Sequence, residues 1–171
     1  MLKKIIFISR FSILFLAVVS CKNEVLPKPA SHLSLEYPEA EYAHFENECP
    51  FTFDMNNNAV IKGQPGCNFT INYPKMKATI YISYKPVENN INVLLRDAQK
   101  LTYEHVIKAD DITEQPFINS DNKVYGMFYR VNGNAATNAQ FYVTDSTKHF
   151  IDCSVYFYAK PNFDSIKPAT T

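Results

Sequence analysis

Asp145, Ser146 and His149 are the residues whose types and close spacing suggest catalysis, because a carboxylate, a hydroxyl and an imidazole together make a hydrolase triad. In such enzymes, however, the base and its orienting acid normally converge from distant segments on a nucleophile beside an oxyanion hole. The serine also lacks a Gly-x-Ser-x-Gly elbow. Since Asp, Ser and Thr are typical of hairpin turns, we predict a turn over residues 145–148 and no catalytic residue. A hydrolase that uses Ser146 and His149 is the alternative.

Cysteine and histidine side chains are the other candidates for chemistry. In an oxidising compartment Cys49 and Cys67 can form a disulfide that stabilises the fold by ~3 kcal/mol through the unfolded state, although the sequence does not fix the pairing. Cys153 lies on the apolar phase of a strand-like segment, which indicates a buried thiol and not a nucleophile. These cysteines and the histidines show none of the close pairs that zinc sites use, so we predict no metal and no cofactor. The histidines are His32, His44, His105 and His149.

The first twenty residues have the pattern of a secretory signal peptide. Three basic side chains accompany an apolar run over residues 11–19, which is too short to span a membrane. The run ends in Val18-Val19-Ser20-Cys21, the form of a bacterial lipobox, whose cysteine is lipidated and becomes the mature N-terminus. We predict a lipoprotein signal peptide over residues 1–20 and stable membrane anchoring by acyl chains such as palmitate on Cys21. An ordinary signal peptide cut at a small residue is the alternative.

The rest of the chain predicts a tether and one folded domain. Residues 21–36 hold the lipidated cysteine and a segment with prolines but no apolar periodicity, whereas residues 37–171 have the length of a single domain. Without the signal peptide, 14 basic side chains face 17 acidic ones. This mildly acidic balance provides no surface for nucleic acid, which requires clustered basic residues.

Alternating apolar and polar residues predict several strands. Asn132-Gly133 predicts a tight hairpin turn, because this pair readily adopts positive φ angles. Residues 36–48 are either an arm or a first strand. The predicted strands are 49–54, 59–62, 67–73, 78–84, 124–131, 139–144 and 149–158, of which the last three form a meander, with Ile151, Cys153, Val155 and Phe157 facing inward.

One segment has helical periodicity. We predict an α+β domain in which an antiparallel sheet of about six strands carries one main helix, residues 90–109, on its apolar face. The 11 tyrosines and 13 phenylalanines suit pleated, half-buried surfaces. Their alternative role is to line a groove for a glycan, peptide or lipid. The apolar residues of the helix are Ile91, Leu94, Leu95, Ala98, Leu101 and Val106.

Five segments of the sequence resemble, in order, the GldD family of gliding-motility lipoproteins, and the resemblance extends from the lipobox to Pro161-Asn-Phe-Asp-Ser165. It implies a cell-envelope lipoprotein that is needed for gliding and is associated with the type IX secretion machinery. It brings no catalytic residue, cofactor or ligand. The segments are Cys49-Pro-Phe-Thr-Phe, Tyr84-Lys-Pro-Val-Glu-Asn-Asn90, Val124-Tyr-Gly, Gly133-Asn-Ala-Ala and Thr144-Asp-Ser-Thr-Lys-His-Phe150.

From this resemblance we expect a non-enzymatic lipoprotein that acts through contacts with other proteins of the gliding and secretion machinery. Lys22 follows the lipidated cysteine in place of an aspartate retention signal, which favours an outer-membrane location with the domain facing the periplasm. The alternative is a periplasmic binding module with an aromatic groove. That alternative would be favoured by an exposed row of tyrosines on one sheet face beside a concave pocket.

Overall fold

The computed structural model describes residues 37, 39–63, 66–104, 109–133 and 135–158, all of them within one unit, His32–Thr171. These residues form nine strands and one helix. The strands are β1 (Tyr42–Phe45), β2 (Phe53–Asn56), β3 (Val60–Gly63), β4 (Phe69–Tyr73), β5 (Ala78–Pro86), β6 (Asp111–Asn119), β7 (Val124–Asn132), β8 (Thr137–Thr144) and β9 (His149–Phe157), and the helix, α1, is Ile91–Tyr103.

Seven of the strands form one antiparallel sheet, in the order β3-β4-β5-β9-β8-β7-β6. Strands β1 and β2 pair with each other in a separate hairpin. The predicted α+β class, with an antiparallel sheet, a single helix and a β7-β8-β9 meander, is therefore confirmed. Nine strands form where seven segments were listed and about six strands expected, because β6 also forms and residues 36–48, left open as an arm or a first strand, contain β1.

The two faces of the sheet are covered by different elements. The register aligns Cys153 with Ile82 and Ile82 with Phe69, so these side chains share one face, where they pack with apolar residues of the β1–β2 hairpin. Phe150 points to the opposite face, where it packs with Leu94 and Ala98 of α1. Of the residues predicted to face inward from β9, Cys153 and Ile151 thus pack with the hairpin and not with the helix.

Helix α1 is shorter than predicted. It ends at Tyr103, and Glu104 forms its C-terminal cap, whereas the prediction continued to residue 109. Its buried stripe contains Leu94, Ala98 and Thr102. Leu101 lies at the margin of this stripe and is 38% exposed, so its assignment to the apolar face was wrong. Residues 105–108, which include Val106 and His105, lie outside the described residues.

Strand β6 was not predicted. Its sequence contains Pro116, and most of its side chains are exposed, so it lacks the alternation that marked the other strands. A proline is compatible with an edge strand, because its nitrogen can face away from the only neighbour. The position of β6 at the edge of the sheet, beside β7, explains both features.

The connection from β7 to β8 is longer than the predicted two-residue turn. Asn132 is the last residue of β7, and β8 begins only at Thr137. Gly133 has the positive φ of +103°, whereas Asn132 pairs with Asp111 and donates its side-chain amide to that carboxylate. Because both residues of a tight Asn-Gly turn need positive φ, this turn does not form.

Candidate functional site

The turn between β8 and β9 is built around the carboxylate of Asp145. Its Oδ1 atom accepts hydrogen bonds from the backbone N–H groups of Thr147 at 3.0 Å, Lys148 at 2.8 Å and His149 at 2.8 Å. Ser146 adopts a positive φ of 66° at the tip. The turn predicted over residues 145–148 is thus observed, and local side-chain bonding explains its composition.

The charge of Asp145 is stabilised by the same contacts. Partial burial opposes ionisation, but the backbone N–H groups of Lys148, His149 and Thr147 and the Thr147 hydroxyl outweigh it. These donors hold the pKa of the Asp145 carboxyl well below its usual range. The residue is therefore an ionised structural anchor at neutral pH.

The imidazole of His149 has a different partner from the one that a triad requires. Its Nδ1 atom lies 2.9 Å from the hydroxyl of Tyr84, and the two ring centroids are 5.9 Å apart. Asp145 contacts the backbone N–H of His149 and not its ring. Within the described residues, no hydrogen bond joins the Ser146 hydroxyl to this ring. The structure brings Asp145, Ser146 and His149 into one turn without assembling an acid–base–nucleophile relay.

The turn forms one wall of an open cleft of about 570 Å³. A second cavity of about 290 Å³, with mainly apolar walls, lies beneath the β1–β2 hairpin and shares Phe51, Thr52, Val143 and Ile151 with the cleft. The concave region is therefore polar at the turn and apolar under the hairpin. The cleft is lined by Pro50, Phe51, Thr52, Asn122, Lys123, Val124, Val143, Thr144, Asp145, His149 and Ile151.

The hairpin that covers the apolar cavity is tied to the sheet. Cys49, just before β2, forms a disulfide with Cys67, just before β4, and their Cα atoms are 5.5 Å apart. Phe51 stacks on Phe69 and on Tyr84, with ring centroids 6.2 and 5.9 Å apart. The disulfide and this stacking together hold the segment that leads into β2 against β4 and β5.

The remaining candidates for chemistry lie apart. His44 contacts Asp54 at 3.3 Å on the exposed hairpin, and His32 and His105 fall outside the described residues. In the part of the chain that the structure describes, no three His, Cys, Asp or Glu side chains are grouped to hold a metal ion. Cys153 is buried, and burial followed by the nearby charge of Asp152 raises the pKa of its thiol. Such a thiol is poorly reactive.

The two edges of the sheet differ in length. Strand β6 has nine residues, whereas β3, at the other edge, has four and includes the exposed Lys62. Phe117 and Ile118 of β6 are both exposed, Ile118 to 71%. Neither the length of β6 nor the pairing of Tyr84 with His149 carries a signal in the local sequence, since both depend on strands distant in the chain.

The sequence matches a model of a known protein family. A sequence model of the family described as gliding motility lipoprotein GldD matches residues 22–171. No curated protein and no solved structure matches. The described residues contain no helix that is long and apolar enough to cross a membrane. The predicted lipidation site, Cys21, lies outside the described residues.

Proposed function

Because the chain belongs to the family of gliding motility lipoproteins called GldD, we propose that it is a non-enzymatic envelope component that acts through contacts with other proteins of the gliding and type IX secretion machinery. Acyl chains on Cys21 hold it at the outer membrane, and its domain faces the periplasm. The membership supports gliding motility and a lipid anchor. The mode of contact is argued from the surface of the domain.

The observation that carries this proposal is the outer edge of β6, which pairs with no strand among the described residues. Exposed edges are usually protected by short strands, lysines, prolines or bulges, because their unpaired N–H and C=O groups can bind another strand. Strand β3 has two of these protections, namely its short length of four residues and the lysine Lys62. Strand β6 has nine residues, contains no lysine and pairs with β7 in an unbroken register. Its protective residues are Pro116 and the charged Asp111 and Glu114, whose carboxylates already accept hydrogen bonds from Asn132 and Tyr103 respectively.

The side chains of β6 also favour the addition of a strand. Phe117 and Ile118 are neighbours in sequence, so they project from opposite faces of the sheet. A partner strand laid along β6 would bond its backbone to the edge and meet an apolar side chain on each face. Main-chain bonds of this kind give affinity, and the side-chain contacts give specificity.

A matched pair of lysine substitutions tests this surface. Ile118→Lys places a charge on the exposed β6 edge, and Val60→Lys places one on β3, where Val60 is 52% exposed. Each variant is introduced into a gene-deletion strain, single cells are filmed on glass, and secretion of a type IX cargo is assayed. We expect Ile118→Lys to impair gliding, whereas Val60→Lys glides normally and both proteins keep the wild-type melting temperature.

The phenotype of the deletion strain itself assigns the contact. Loss of both movement and secretion would associate the protein with the export machinery, whereas loss of movement alone would associate it with the motor or its track. Normal gliding and secretion without the gene would refute the proposed function. If the deletion strain glides poorly but the Ile118→Lys strain glides normally, β6 is not the contact surface. That result would leave the proposed function itself standing.

A second substitution addresses the hydrolase alternative. Ser146 is exposed at the tip of its turn, so Ser146→Ala should leave the fold unchanged. We expect normal gliding in this variant. A folded Ser146→Ala protein that fails to restore gliding would revive the enzymatic interpretation.

A further inference from the structure

Three tyrosines form an exposed cluster on the sheet face that α1 occupies elsewhere. Tyr81 of β5 and Tyr156 of β9 lie on the same face as Phe150, as the register and the alternation of β9 require. Their rings meet edge to face with centroids 5.4 Å apart. The hydroxyl of Tyr158 lies 3.2 Å from that of Tyr81. The cluster is six residues along β9 from Phe150, which α1 covers, or roughly 20 Å away.

The cluster borders a shallow concavity of about 420 Å³ without a charged lining residue. Tyr158 is 64% exposed there, so its ring is available to a ligand. Packing within the described residues does not account for an aromatic group that remains this open, and exposed apolar patches commonly mark binding sites. The lining residues are Tyr81, Ser154, Tyr156, Phe157 and Tyr158.

A row of uncharged polar side chains continues from the tyrosines across β4. Thr70 is aligned with Tyr81, and Asn72 with Thr79, so both project on the tyrosine face. Asn72 donates to the Thr70 hydroxyl at 3.1 Å and accepts from the Thr79 hydroxyl at 2.9 Å. These contacts fix the orientation of the amide. The first charged side chain along this row is that of Lys62, on β3.

We infer that this face is a binding site for an uncharged oligosaccharide. A pyranose ring has an apolar face of C–H groups, which stacks on an aromatic ring, and a rim of hydroxyl groups, which needs donors and acceptors but no opposite charge. The tyrosines supply rings and phenolic hydroxyls together, and Thr70 and Asn72 supply further polar groups. A proline-rich peptide also binds aromatic grooves, but its side chains offer nothing to the polar row.

This site is independent of the contact proposed for β6. Strands β9, β8 and β7 lie between β5, which carries Tyr81, and β6. Loss of saccharide binding therefore need not change contacts at the β6 edge, and each proposal can fail while the other stands.

Direct binding to the full-length protein tests the inference. The lipoprotein is purified in a polyoxyethylene detergent, because detergents with sugar head groups would compete. Neutral oligosaccharides of glucose, mannose and N-acetylglucosamine are titrated by calorimetry, with saturation-transfer NMR to identify the sugar protons in contact. We expect saturable binding of at least one of them, weakened roughly tenfold or more by Tyr81→Ala or Tyr158→Ala, as the loss of a stacked ring predicts.

The control is Tyr42→Ala, since Tyr42 on the β1–β2 hairpin is 66% exposed and belongs to neither the concavity nor the polar row. Tyr158→Phe keeps the ring and should retain more affinity than Tyr158→Ala. The inference would be overturned if none of the oligosaccharides showed saturable binding, or if Tyr158→Ala and Tyr42→Ala bound them with equal affinity. It would also be overturned if a proline-rich peptide bound at the tyrosines in place of sugar. If Tyr81→Ala lowers the melting temperature, the exposed Tyr158 still provides the test.

Discussion

The Asp145 carboxylate is the residue on which the β8–β9 turn depends most directly. It accepts hydrogen bonds from three successive backbone N–H groups, which would otherwise need other partners. Hydrogen bonds to a charged group contribute more than neutral ones, although the surrounding water reduces the contribution of each at a turn whose residues 146–148 are exposed. The same turn aligns the end of β8 with the start of β9, and Lys148 accepts a bond from Val87 at the end of β5. The effect of this single residue should therefore extend to three strands.

We predict that Asp145→Ala lowers the free energy of unfolding by roughly 1–3 kcal/mol at neutral pH. Because the folded pKa of Asp145 is depressed, its charge stabilises the protein above the unfolded pKa, and this contribution disappears as pH falls below about 4. Urea denaturation of wild type and variant across pH 3–7 measures the difference. The gap should be constant above about pH 5 and should narrow in acid.

A matched control is Asp121→Ala, because Asp121 is an exposed aspartate in the β6–β7 turn with no hydrogen bond to any other described residue. It should change stability by less than about 0.5 kcal/mol. A gap for Asp145→Ala that widens in acid would contradict the assigned role of the carboxylate.

The difference between local and distant contacts explains which residues of the site could be predicted. The Asp145 turn follows from side chains that bond the backbone within four positions, so the sequence alone indicates it. The contact between Tyr84 and His149 spans 65 positions and exists because β5 pairs with β9. No local sequence pattern reveals that β5 pairs with β9. Without that strand pairing, the hydrogen-bond partner of the His149 imidazole cannot be predicted.

At the scale of elements, helix α1 allows burial to be tested along one face. Leu94 is buried against Phe150, Leu95 is half-buried, and Leu101 is 38% exposed. We predict that Leu94→Asp costs roughly 3–5 kcal/mol of stability, because it places an unpaired carboxylate in an apolar contact. Leu95→Asp should cost less, and Leu101→Asp less than about 1 kcal/mol. Thermal unfolding of the three variants measures the order, and a Leu101 variant as unstable as the Leu94 variant would mean that the buried stripe is misplaced.

The periodicity of α1 and of the central strands could be read from the sequence because one face of each is buried. Strand β6 could not, since its side chains are mostly exposed and Pro116 interrupts its pattern. The β1–β2 hairpin was predicted only in part, since the predicted strand 49–54 overlaps β2 at Phe53 and Asp54 and residues 36–48 were left as an arm or a first strand. Strand β9 carries apolar residues on both faces, with Phe150 on one and Cys153 on the other, so the sequence could not say which face the helix covers.

The β1–β2 hairpin depends on its disulfide because it shares no strand pairing with the large sheet. The bond between Cys49 and Cys67 closes a loop with a sequence separation of 18. We predict that Cys49→Ser/Cys67→Ser lowers the free energy of unfolding by about 3 kcal/mol, mainly by freeing the unfolded chain. Guanidinium denaturation with and without reductant measures this. Reductant should bring wild type to the level of the double variant and should not affect the variant, whose remaining described cysteine, Cys153, is a buried thiol.

At the scale of the whole molecule, the sheet separates the surfaces for which we propose different contacts. The β6 edge lies at one end of the strand order, while the tyrosine face spans β5 and β9. The cleft at the Asp145 turn and the apolar cavity under the hairpin lie together, since they share four lining residues. A domain with several separate surfaces can contact more than one partner at the same time.

On the proposal that Cys21 carries the lipid, residues 22–36 determine how far the domain can lie from the membrane. If residues 22–36 are extended at ~3.1 Å each, they reach on the order of 45 Å. The domain then need not touch the bilayer, and its stability should not depend on the lipid. Anchoring and folding are in this sense separate properties of the chain.

We therefore predict that Cys21→Ala moves the protein from the membrane to the soluble periplasmic fraction without changing the melting temperature of the domain, and that gliding is lost although the domain is folded. Two or more acyl chains anchor stably, at ~0.8 kcal/mol for each buried methylene, so their removal should leave no residual attachment. Cell fractionation, thermal unfolding and single-cell films on the same strain test the three parts.

If wild type is itself soluble, the signal peptide is an ordinary one. If Cys21→Ala still sediments with membranes after its signal peptide has been removed, contacts of the domain and not the lipid hold it there. The β6 variant Ile118→Lys in the same background would then tell whether that edge is responsible.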